Sequence, residues 1–212
     1  GLANRTLFKE RLHQAGQRAR QSGRSLALLH IDLDRFKILN DSLGHELADQ
    51  LLRQMSRRLA QTIPEAETLA RLSGDEFAVL LDSYGSLSSL ARLASRVLSK
   101  LRLPIMVGDQ ELVVSASIGI SLLPDNAREI STLLSQANMA VQHAKHLGGN
   151  TFQFYTDNLQ ACTLERLQLE NQLRKGIEDG QLEVFYQPKL GLHDDRLGAA
   201  EALVRWCHPQ LG

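Results

Sequence analysis

The chain has 212 residues, 43% of them hydrophobic, and its 24 basic side chains balance 24 acidic ones, so the net charge is zero near neutral pH. Zero net charge provides no overall field to attract nucleic acid or an anionic membrane, and the length allows one domain and part of another. Two distant cysteines, Cys162 and Cys207, predict neither a disulfide nor a zinc site. No signal peptide or membrane-spanning apolar run is found. We therefore expect a cytoplasmic domain, with anchoring of the parent protein at the inner membrane left open.

The first predicted helix, residues 4–22, carries a local excess of basic side chains and ends at Ser22 and Gly23. These charges are spread around the helix between apolar positions, which is typical of a solvated face. No aromatic platform accompanies them, so a nucleic-acid-binding domain has little support and we expect no nucleic-acid partner.

A continuous apolar run over residues 25–34 predicts a strand that is buried on both faces. It ends in Asp32 and Asp34, which share one face because side chains repeat every second residue along a strand. Carboxylates at the end of a buried strand do little for stability. They are suitable ligands for a divalent ion, which also accepts backbone carbonyls such as that of Leu33.

A short helical turn over 36–39 is expected to precede a helix from about 43 to 62, with Asn40-Asp41-Ser42 as its cap. Asn40 then has an ordinary interpretation as a capping residue, and Asp49 as a surface acid. Alternatively, an amide and a carboxylate close together could recognise the N1–H, N2–H and O6 groups of guanine.

The next feature is a predicted hairpin over residues 69–82. Two apolar runs flank Ser73-Gly74-Asp75-Glu76, with Gly74 suited to a tight turn. The hairpin would hold Asp75 and Glu76 at the rim of a sheet, within reach of a metal or a phosphate-bearing ligand. An ordinary turn remains the alternative, because Gly-Asp is common turn chemistry.

Helical and strand patterns alternate along the rest of the chain, which with the hairpin predicts an α/β or α+β fold. We expect a central mixed, mainly antiparallel β-sheet flanked by helices. The remaining predicted elements are helix 87–103, strand 111–122, helix 130–147, strand 151–155, helix 157–179, and strands 182–186 and 198–206. The expected domains are 1–155, a helical connector 156–180, and a fragment 181–212 that is too short to bury its own core.

Several motifs occur in order along the chain. They are DLDRFKILND at 32–41, Gly44-His45, Asp49, RLSGDEF at 71–77, Ser117-Ile118-Gly119 and Ala144-Lys145. Together they resemble the signature of the GGDEF domain, the diguanylate cyclase family. The resemblance covers about residues 1–155 and implies a nucleotide-cyclase, palm-like fold that condenses two GTP molecules into cyclic di-GMP, with a homodimer of facing sites. It also implies Mg²⁺ or Mn²⁺ as cofactor, because two metal ions can activate the attacking oxygen and neutralise the leaving group.

The resemblance implies roles for individual positions. The catalytic residues would be Asp75, as candidate base for the 3′-hydroxyl, with Glu76 and Asp32 as further acids. The metal ligands would be Asp32, the Leu33 carbonyl and Asp75. Asn40 and Asp49 would recognise guanine, while Lys37, Lys145 and the amides near Phe36 would contact the phosphates.

The chain departs from the family pattern, first at Ser73, which replaces the first glycine of the motif. If that position needs a positive φ, serine costs about 1 kcal/mol or more, whereas a position that needs only a small residue tolerates it. The product-inhibition motif Arg-x-x-Asp is replaced by residues 64–67, PEAE, so we expect no product binding at that secondary site. The other departures are Ala48 for glycine, Asn138 for aspartate, and Gly149 for a phosphate-contacting arginine.

The C-terminal residues YQPK at 186–189 and EALVRW at 201–206 resemble the start of an EAL domain, the cyclic di-GMP phosphodiesterase family, which implies a barrel fold. Glu201 would be a metal ligand, and Gln187 and Arg205 would contact the substrate. The remaining catalytic residues would lie beyond the chain, so we expect no hydrolysis by it alone. Two functions are therefore weighed: a weakly active cyclase in a GGDEF-EAL tandem protein with an N-terminal sensory region, or a silent GTP sensor that controls the attached phosphodiesterase.

Overall fold

The computed structural model of the protein describes residues 2–127, 129–190 and 197–207. The chain divides into two compact units, Gly1–Gln160 and Ala161–Gly212. The helices of the first unit are α1 (Arg5–Ser22), α2 (Phe36–Leu43), α3 (His45–Thr62), α4 (Leu87–Leu101) and α5 (Ile130–His146). Its strands are β1 (Leu26–Leu33), β2 (Thr68–Ser73), β3 (Glu76–Asp82), β4 (Ile105–Val107), β5 (Gln110–Leu112), β6 (Ala116–Leu123) and β7 (Phe152–Phe154).

The main sheet has the strand order β2-β3-β1-β6-β7. Strand β1 lies at its centre and is antiparallel to both β3 and β6, β2 and β3 form the hairpin, and β7 adds to β6 in parallel. The prediction of a mixed, mainly antiparallel sheet flanked by helices is therefore confirmed.

Strand β1 is buried on both faces because two hydrophobic clusters pack against it. Leu29 and Ile31 belong to a cluster that includes residues of α3 and α4, whereas Leu26 and Leu28 face residues of α1 and α5. Full burial of a leucine side chain contributes about 1.5–3 kcal/mol, so an unbroken apolar run is what this central position requires. His30 and Asp32 continue the second face towards the rim of the sheet.

The structure corrects three predicted boundaries. Asn40, Asp41 and Ser42 do not cap the long helix; they lie inside α2, and Gly44, with φ of 81°, separates α2 from α3 without a side-chain cap. A single strand over 111–122 was also wrong, because a turn at Gly108, with φ of 59°, lets β4 and β5 form their own two-stranded sheet before β6 begins. Helix α4 ends at Leu101, two residues before the predicted 103.

A sixth helix, α6 (Asp157–Glu178), begins in the first unit and continues into the second. The second unit then forms an antiparallel pair, β8 (Leu182–Leu190) and β9 (Leu197–Trp206). Its Cys207 is an exposed free thiol, whereas the side chain of Cys162 lies outside the described residues. In the ranges that the structure describes, no helix combines the length and apolar character needed to cross a membrane.

Candidate functional site

Three acids lie together at one rim of the main sheet. In the register of the sheet, Asp32 of β1 is opposite Glu76 of β3 and Ser117 of β6. Asp75 occupies the turn between β2 and β3, and its carbonyl accepts a hydrogen bond from the Leu33 N–H at 3.4 Å. The hairpin and the central strand therefore bring Asp32, Asp75 and Glu76 to the same place.

The Asp32 carboxylate is paired with Lys145 of α5. Asp32 is 7% exposed, and the Lys145 Nζ atom lies 2.5 Å from its Oδ1 atom. Burial raises the pKa of the Asp32 carboxyl, Lys145 opposes that rise, and the negative charges of Asp75 and Glu76 add to it. Lys145 thus supplies the positive charge that keeps a buried carboxylate at the rim.

Close packing of α5 against the sheet places Lys145 near the rim. Gly119 of β6 lies against α5, where an added Cβ atom would stand 2.0 Å from the Ala137 carbonyl oxygen and 2.5 Å from the Val141 nitrogen. Only glycine allows this approach. The glycine of the Ser117-Ile118-Gly119 block is therefore a packing residue that positions the helix carrying Lys145.

The hairpin turn is fixed by side chains at both ends. Arg71 Nε donates to the Gly74 carbonyl at 2.8 Å, and Ser73 Oγ donates to Glu76 Oε2 at 2.5 Å. The positive φ of the turn, 41°, is at Gly74, whereas Ser73 is paired with Glu76 in the sheet and is not among the residues with positive φ. Serine at the first motif position therefore causes no left-handed backbone strain, and what it adds is a hydroxyl group that binds Glu76.

Asp34 is close to Asp32 but is fully engaged in the fold. Its carboxylate accepts hydrogen bonds from the Ser115 and Ser117 hydroxyl groups, both at 2.7 Å, and from the Asn150 N–H at 2.9 Å. Gly149, with φ of 76°, packs against it so closely that a Cβ atom would lie 3.0 Å from the carboxylate. Asp34 therefore joins β1 to β6 and to the loop after α5, and the earlier inference that it helps to hold an ion is not supported.

The remaining predicted site residues lie on α2 and α3. Lys37 is exposed, Asn40 is half-buried near the end of α2, and Asp49 is exposed in the first half of α3, on the other side of the Gly44 joint. Phe36 is buried at the start of α2, where no side chain caps the helix. Uncapped first-turn amides are available to an anionic group.

Comparisons with known proteins identify the family of the chain. A family model described as "Diguanylate cyclase, GGDEF domain" matches residues 1–151. The chain belongs to the GGDEF family. Residues 1–151 form its GGDEF domain, of the diguanylate cyclase type.

Two curated relatives from Pseudomonas aeruginosa match the whole chain. The chain is 40% identical to the cyclic di-GMP phosphodiesterase NbdA and covers 27% of that protein. It is 38% identical to MucR, named a bifunctional diguanylate cyclase/cyclic di-GMP phosphodiesterase, and covers 31% of it. The chain thus spans only 27–31% of the length of these relatives.

Among solved structures, the chain resembles the GGDEF domain of TpbB, also called YfiN, from Pseudomonas aeruginosa. The TM-score is 0.73 at 35% sequence identity, and the match covers 77% of this chain and 95% of that one. The mixed sheet with flanking helices is therefore the GGDEF fold.

The rim of the GGDEF domain has a donor set that fits a hard divalent cation. Two carboxylates, Asp32 and Asp75, and the Leu33 carbonyl offer only oxygen atoms, which Mg²⁺ prefers. Within the described residues, no group of three or more His, Cys, Asp or Glu side chains could hold a metal ion. Mg²⁺ usually keeps several waters and binds substrate phosphates, so a small donor set is consistent with a nucleotide-associated ion.

Sequence reasoning missed two residues near the rim. Arg71, which holds the hairpin turn, lies inside the quoted motif, but no spacing rule predicts that its side chain reaches back to Gly74. His30 is 3% exposed on the same face of β1 as Asp32, and burial lowers its pKa to about 4. The sequence did contain a signal for His30, because it is the one histidine within the apolar run of residues 25–34.

Proposed function

We propose that the GGDEF domain binds GTP with Mg²⁺ or Mn²⁺ at this rim and slowly condenses two GTP molecules to cyclic di-GMP. The observation that supports this proposal is the convergence of Asp32, Asp75 and Glu76 with the Lys145 ammonium group. Acids with one nearby cation form an arrangement that can hold a metal-bound triphosphate.

In the proposed reaction the 3′-hydroxyl oxygen of one GTP attacks the α-phosphorus of the other. The new O–P bond replaces the bond to the β-phosphate, and pyrophosphate leaves. The reciprocal attack by the 3′-hydroxyl of the second nucleotide closes the ring and releases a second pyrophosphate. In each attack Asp75 is the candidate acceptor of the hydroxyl proton. Asp32, the Leu33 carbonyl and Asp75 would hold a divalent ion, which would supply activation of the attacking hydroxyl group and neutralisation of charge on the leaving group. Glu76 is a second acid at the same turn. A homodimer with facing sites would bring the two nucleotides together, because each domain holds one.

The other residues would bind and orient the nucleotide. Asn40 and Asp49 would recognise the guanine edge from α2 and α3. Lys37, Lys145 and the uncapped amides near Phe36 would contact the phosphates. Lys145 would have to leave Asp32 to do so.

A second candidate, a silent GTP-sensing domain that regulates an attached phosphodiesterase, is favoured by one observation. The Ser73 hydroxyl holds Glu76 in a hydrogen bond within the turn, so one of the acids is already engaged. A site that retained Asp32, Asp75 and Lys145 but could not release Glu76 would bind GTP without turnover. Binding and catalysis can separate in this way because a displacement of about 1 Å can cost roughly 10²-fold in rate.

For the C-terminal residues, we infer the start of an EAL domain after a connector at about 156–180. Gln187 and Glu201 are directly opposite one another on β8 and β9, and Arg205 lies four residues further along β9 on the same face. Lys189 Nζ forms an ion pair with Glu201 at 3.1 Å. This face would supply Glu201 as a metal ligand and Gln187 and Arg205 as substrate contacts in the whole protein, alongside an N-terminal sensory region.

The test combines a binding assay with a turnover assay. The 212-residue chain and the full-length protein are incubated with labelled GTP and Mg²⁺ or Mn²⁺, together with the Asp75→Ala and Ser73→Gly variants. We expect slow cyclic di-GMP formation by the wild type and a loss of about 10²-fold or more in Asp75→Ala, as for removal of a general base. Product from Ser73→Gly alone would favour the sensor, and absence of GTP binding by all forms would contradict both candidates.

A further inference from the structure

A group of arginines lies next to the first residues of the described chain, beside the edge strand of the main sheet. Residues 2–4 run along the edge strand β2, with Ala3 N donating to the Leu69 carbonyl at 3.2 Å and Arg71 N donating to the Ala3 carbonyl at 2.9 Å. Between this segment, β2 and helix α3 is a cavity of about 700 Å³. Arg53, Arg57 and Arg71 line it, and we call it the arginine cavity.

The positive charge of the arginine cavity is not balanced locally. The described residues that line it include no acidic side chain, and none of the ion pairs found in the described part of the chain involves Arg53 or Arg57. These two arginines are four residues apart on α3, a spacing at which like charges destabilise a helix by up to about 0.5 kcal/mol. The side chains that line the cavity are therefore positively charged on balance, although Asp49, four residues before Arg53 on α3, lies nearby outside the lining.

Helix α1 adds to this positive field. Its N-terminal cap, Asn4, also lines the cavity, and the first turn of α1 contains no acidic residue. The N-terminus of an 18-residue helix carries about half a positive charge. Three guanidinium groups and a helix end thus surround a space large enough for a small ligand.

We propose that the arginine cavity binds a small oxyanion ligand with at least two negative charges. Guanidinium groups form paired hydrogen bonds to phosphate or carboxylate oxygens, and groups on α3 and β2 approach from different directions. A ligand with several oxyanion groups can meet them together. Neither the proposed chemistry at the acidic rim nor its metal is needed for this binding.

The cavity is also connected to the hairpin turn, a point that rests on the proposed function. Arg71 uses Nε to hold the Gly74 carbonyl, which leaves the rest of its guanidinium group for an anion. Arg5, beside the cavity residue Asn4, forms an ion pair with Glu76 at 3.6 Å. An anion in the cavity would therefore fix Arg71 and, through it, the Gly74-Asp75 turn.

Calorimetric titration of the 212-residue chain with pyrophosphate and, separately, with citrate tests the proposal. Both are run in buffer and protein freed of divalent metal by passage over a chelating resin, so that metal-dependent binding at the acidic rim is suppressed, and Asp75→Asn is included to detect any that remains. We expect the wild type to bind each anion saturably, and Asp75→Asn to bind with the same affinity. The Arg53→Gln/Arg57→Gln double variant should bind about tenfold more weakly or worse, because each substitution removes charge-assisted hydrogen bonds to the anion. Arg102→Gln, which removes an exposed charge outside the cavity, is the matched control and should bind like the wild type.

The results separate the possible ligands and the possible failures. Tighter pyrophosphate identifies a phosphate ligand, and tighter citrate a carboxylate ligand. No saturable binding of either anion, equal affinity in the double variant, or equal loss in Arg102→Gln would overturn the proposal. Circular dichroism of the double variant shows whether the fold is intact, and amide shifts of Gly74 and Asp75 on titration test the connection to the turn. Failure of GTP turnover would leave these metal-free results unaffected.

Discussion

Replacing Ser73 tests what the serine does in the hairpin turn. The matched variants are Ser73→Gly, which restores the family motif, and Ser73→Ala, which removes only the hydroxyl group. Because Ser73 lies in the sheet without a positive φ, alanine fits its backbone as well as glycine does. Both variants should therefore release Glu76, and both should act alike on turnover.

The magnitude follows from the hydrogen bond that is removed. The bond from Ser73 Oγ to Glu76 Oε2 is charge-assisted but exposed, so we assign it about 1 kcal/mol. If Glu76 must break this bond to act, the rate of cyclic di-GMP formation should rise about fivefold in each variant, since about 1.4 kcal/mol corresponds to tenfold. The alanine variant should lose about 1 kcal/mol of stability, and the glycine variant up to about 1 kcal/mol more because glycine has greater freedom in the unfolded chain.

The assay is product formation from labelled GTP with Mg²⁺ at saturating nucleotide, together with urea unfolding of the same preparations. A rise in Ser73→Gly but not in Ser73→Ala would refute the reasoning, because it would show that this position needs glycine itself. A fall in both variants would show that the hydroxyl group supports the reaction.

Four further predictions follow from the packing and charges of the GGDEF domain. Gly119→Ala should lower the free energy of unfolding by about 3 kcal/mol or more, because its methyl group would collide with the α5 backbone, whereas Gly85→Ala, in open space, should cost little. Stability should fall as the pH drops from 6.5 to 4, by about 3 kcal/mol from His30 alone, because its folded pKa of about 4 lies below its unfolded value and protons favour the unfolded chain. Lys145→Gln should cost about 2 kcal/mol at pH 7, since the carboxylate that it pairs with stays buried, and Mg²⁺ should restore more stability to this variant than to the wild type. Cyclic di-GMP should not bind at the acidic turn around Glu67.

Each of these predictions has a measurement that decides it. Urea unfolding of Gly119→Ala and Gly85→Ala shows whether the loss of stability comes from close packing at Gly119 or from replacing any glycine by alanine. For the histidine, the pH dependence of wild type minus His30→Leu isolates one group, and equal slopes would contradict the burial argument. Thermal shifts over a range of Mg²⁺ concentrations, with the exposed Lys37→Gln as control, test the lysine. Calorimetry with cyclic di-GMP tests the turn, where tight binding lost on mutation of Glu67 would contradict the expectation.

The acidic turn around Glu67 has its own structural support. The sequence 64–67 offers carboxylates where an arginine would be needed, and the structure shows both of them in use. Glu67 forms an ion pair with Arg18 of α1, and Glu65 forms one with Arg96 of α4. Two basic side chains near this turn, Arg18 and Arg96, are thus already paired with acids, although such exposed pairs contribute little stability.

Much of the fold could be predicted because its signals are local. The apolar run of β1, the Gly-Asp turn and the amphipathic helices each specify an element from adjacent residues. The short β4–β5 hairpin was missed because strands of three residues leave almost no periodic signal. The supposed cap at Asn40-Asp41-Ser42 failed because Gly44 can adopt a positive φ, which lets one helix follow another without the usual capping residue.

The site could be predicted in part, for a related reason. The positions of Asp32 and Asp75 in the sequence motifs predicted that both would lie at the same rim of the sheet. The side chains that contact each acid, however, depend on the tertiary fold. Asp34 is also an aspartate and was expected on the same strand face as Asp32, yet its carboxylate accepts hydrogen bonds from two serine hydroxyl groups and a backbone amide of remote segments. No spacing rule distinguishes the two aspartates, because the difference arises where β6 and the loop after α5 meet β1.

The partners of the acids also explain how binding and turnover can be separated in one domain. Asp32 is buried, and losing Lys145 is costly unless another cation takes its place, so the proposed binding of a metal-bound nucleotide would be an exchange of one positive charge for another. Glu76 is bound by the exposed Ser73 hydroxyl group and, at 3.6 Å, by the exposed Arg5, and freeing it from the serine costs about 1 kcal/mol. In the proposed function, the larger energetic cost therefore lies at Asp32, which would bind the metal of the nucleotide, and the smaller cost at Glu76, whose partner Ser73 departs from the family motif. The difference in burial between Asp32 and Glu76 therefore predicts that Ser73 reduces the rate of cyclic di-GMP formation but leaves the nucleotide pocket intact.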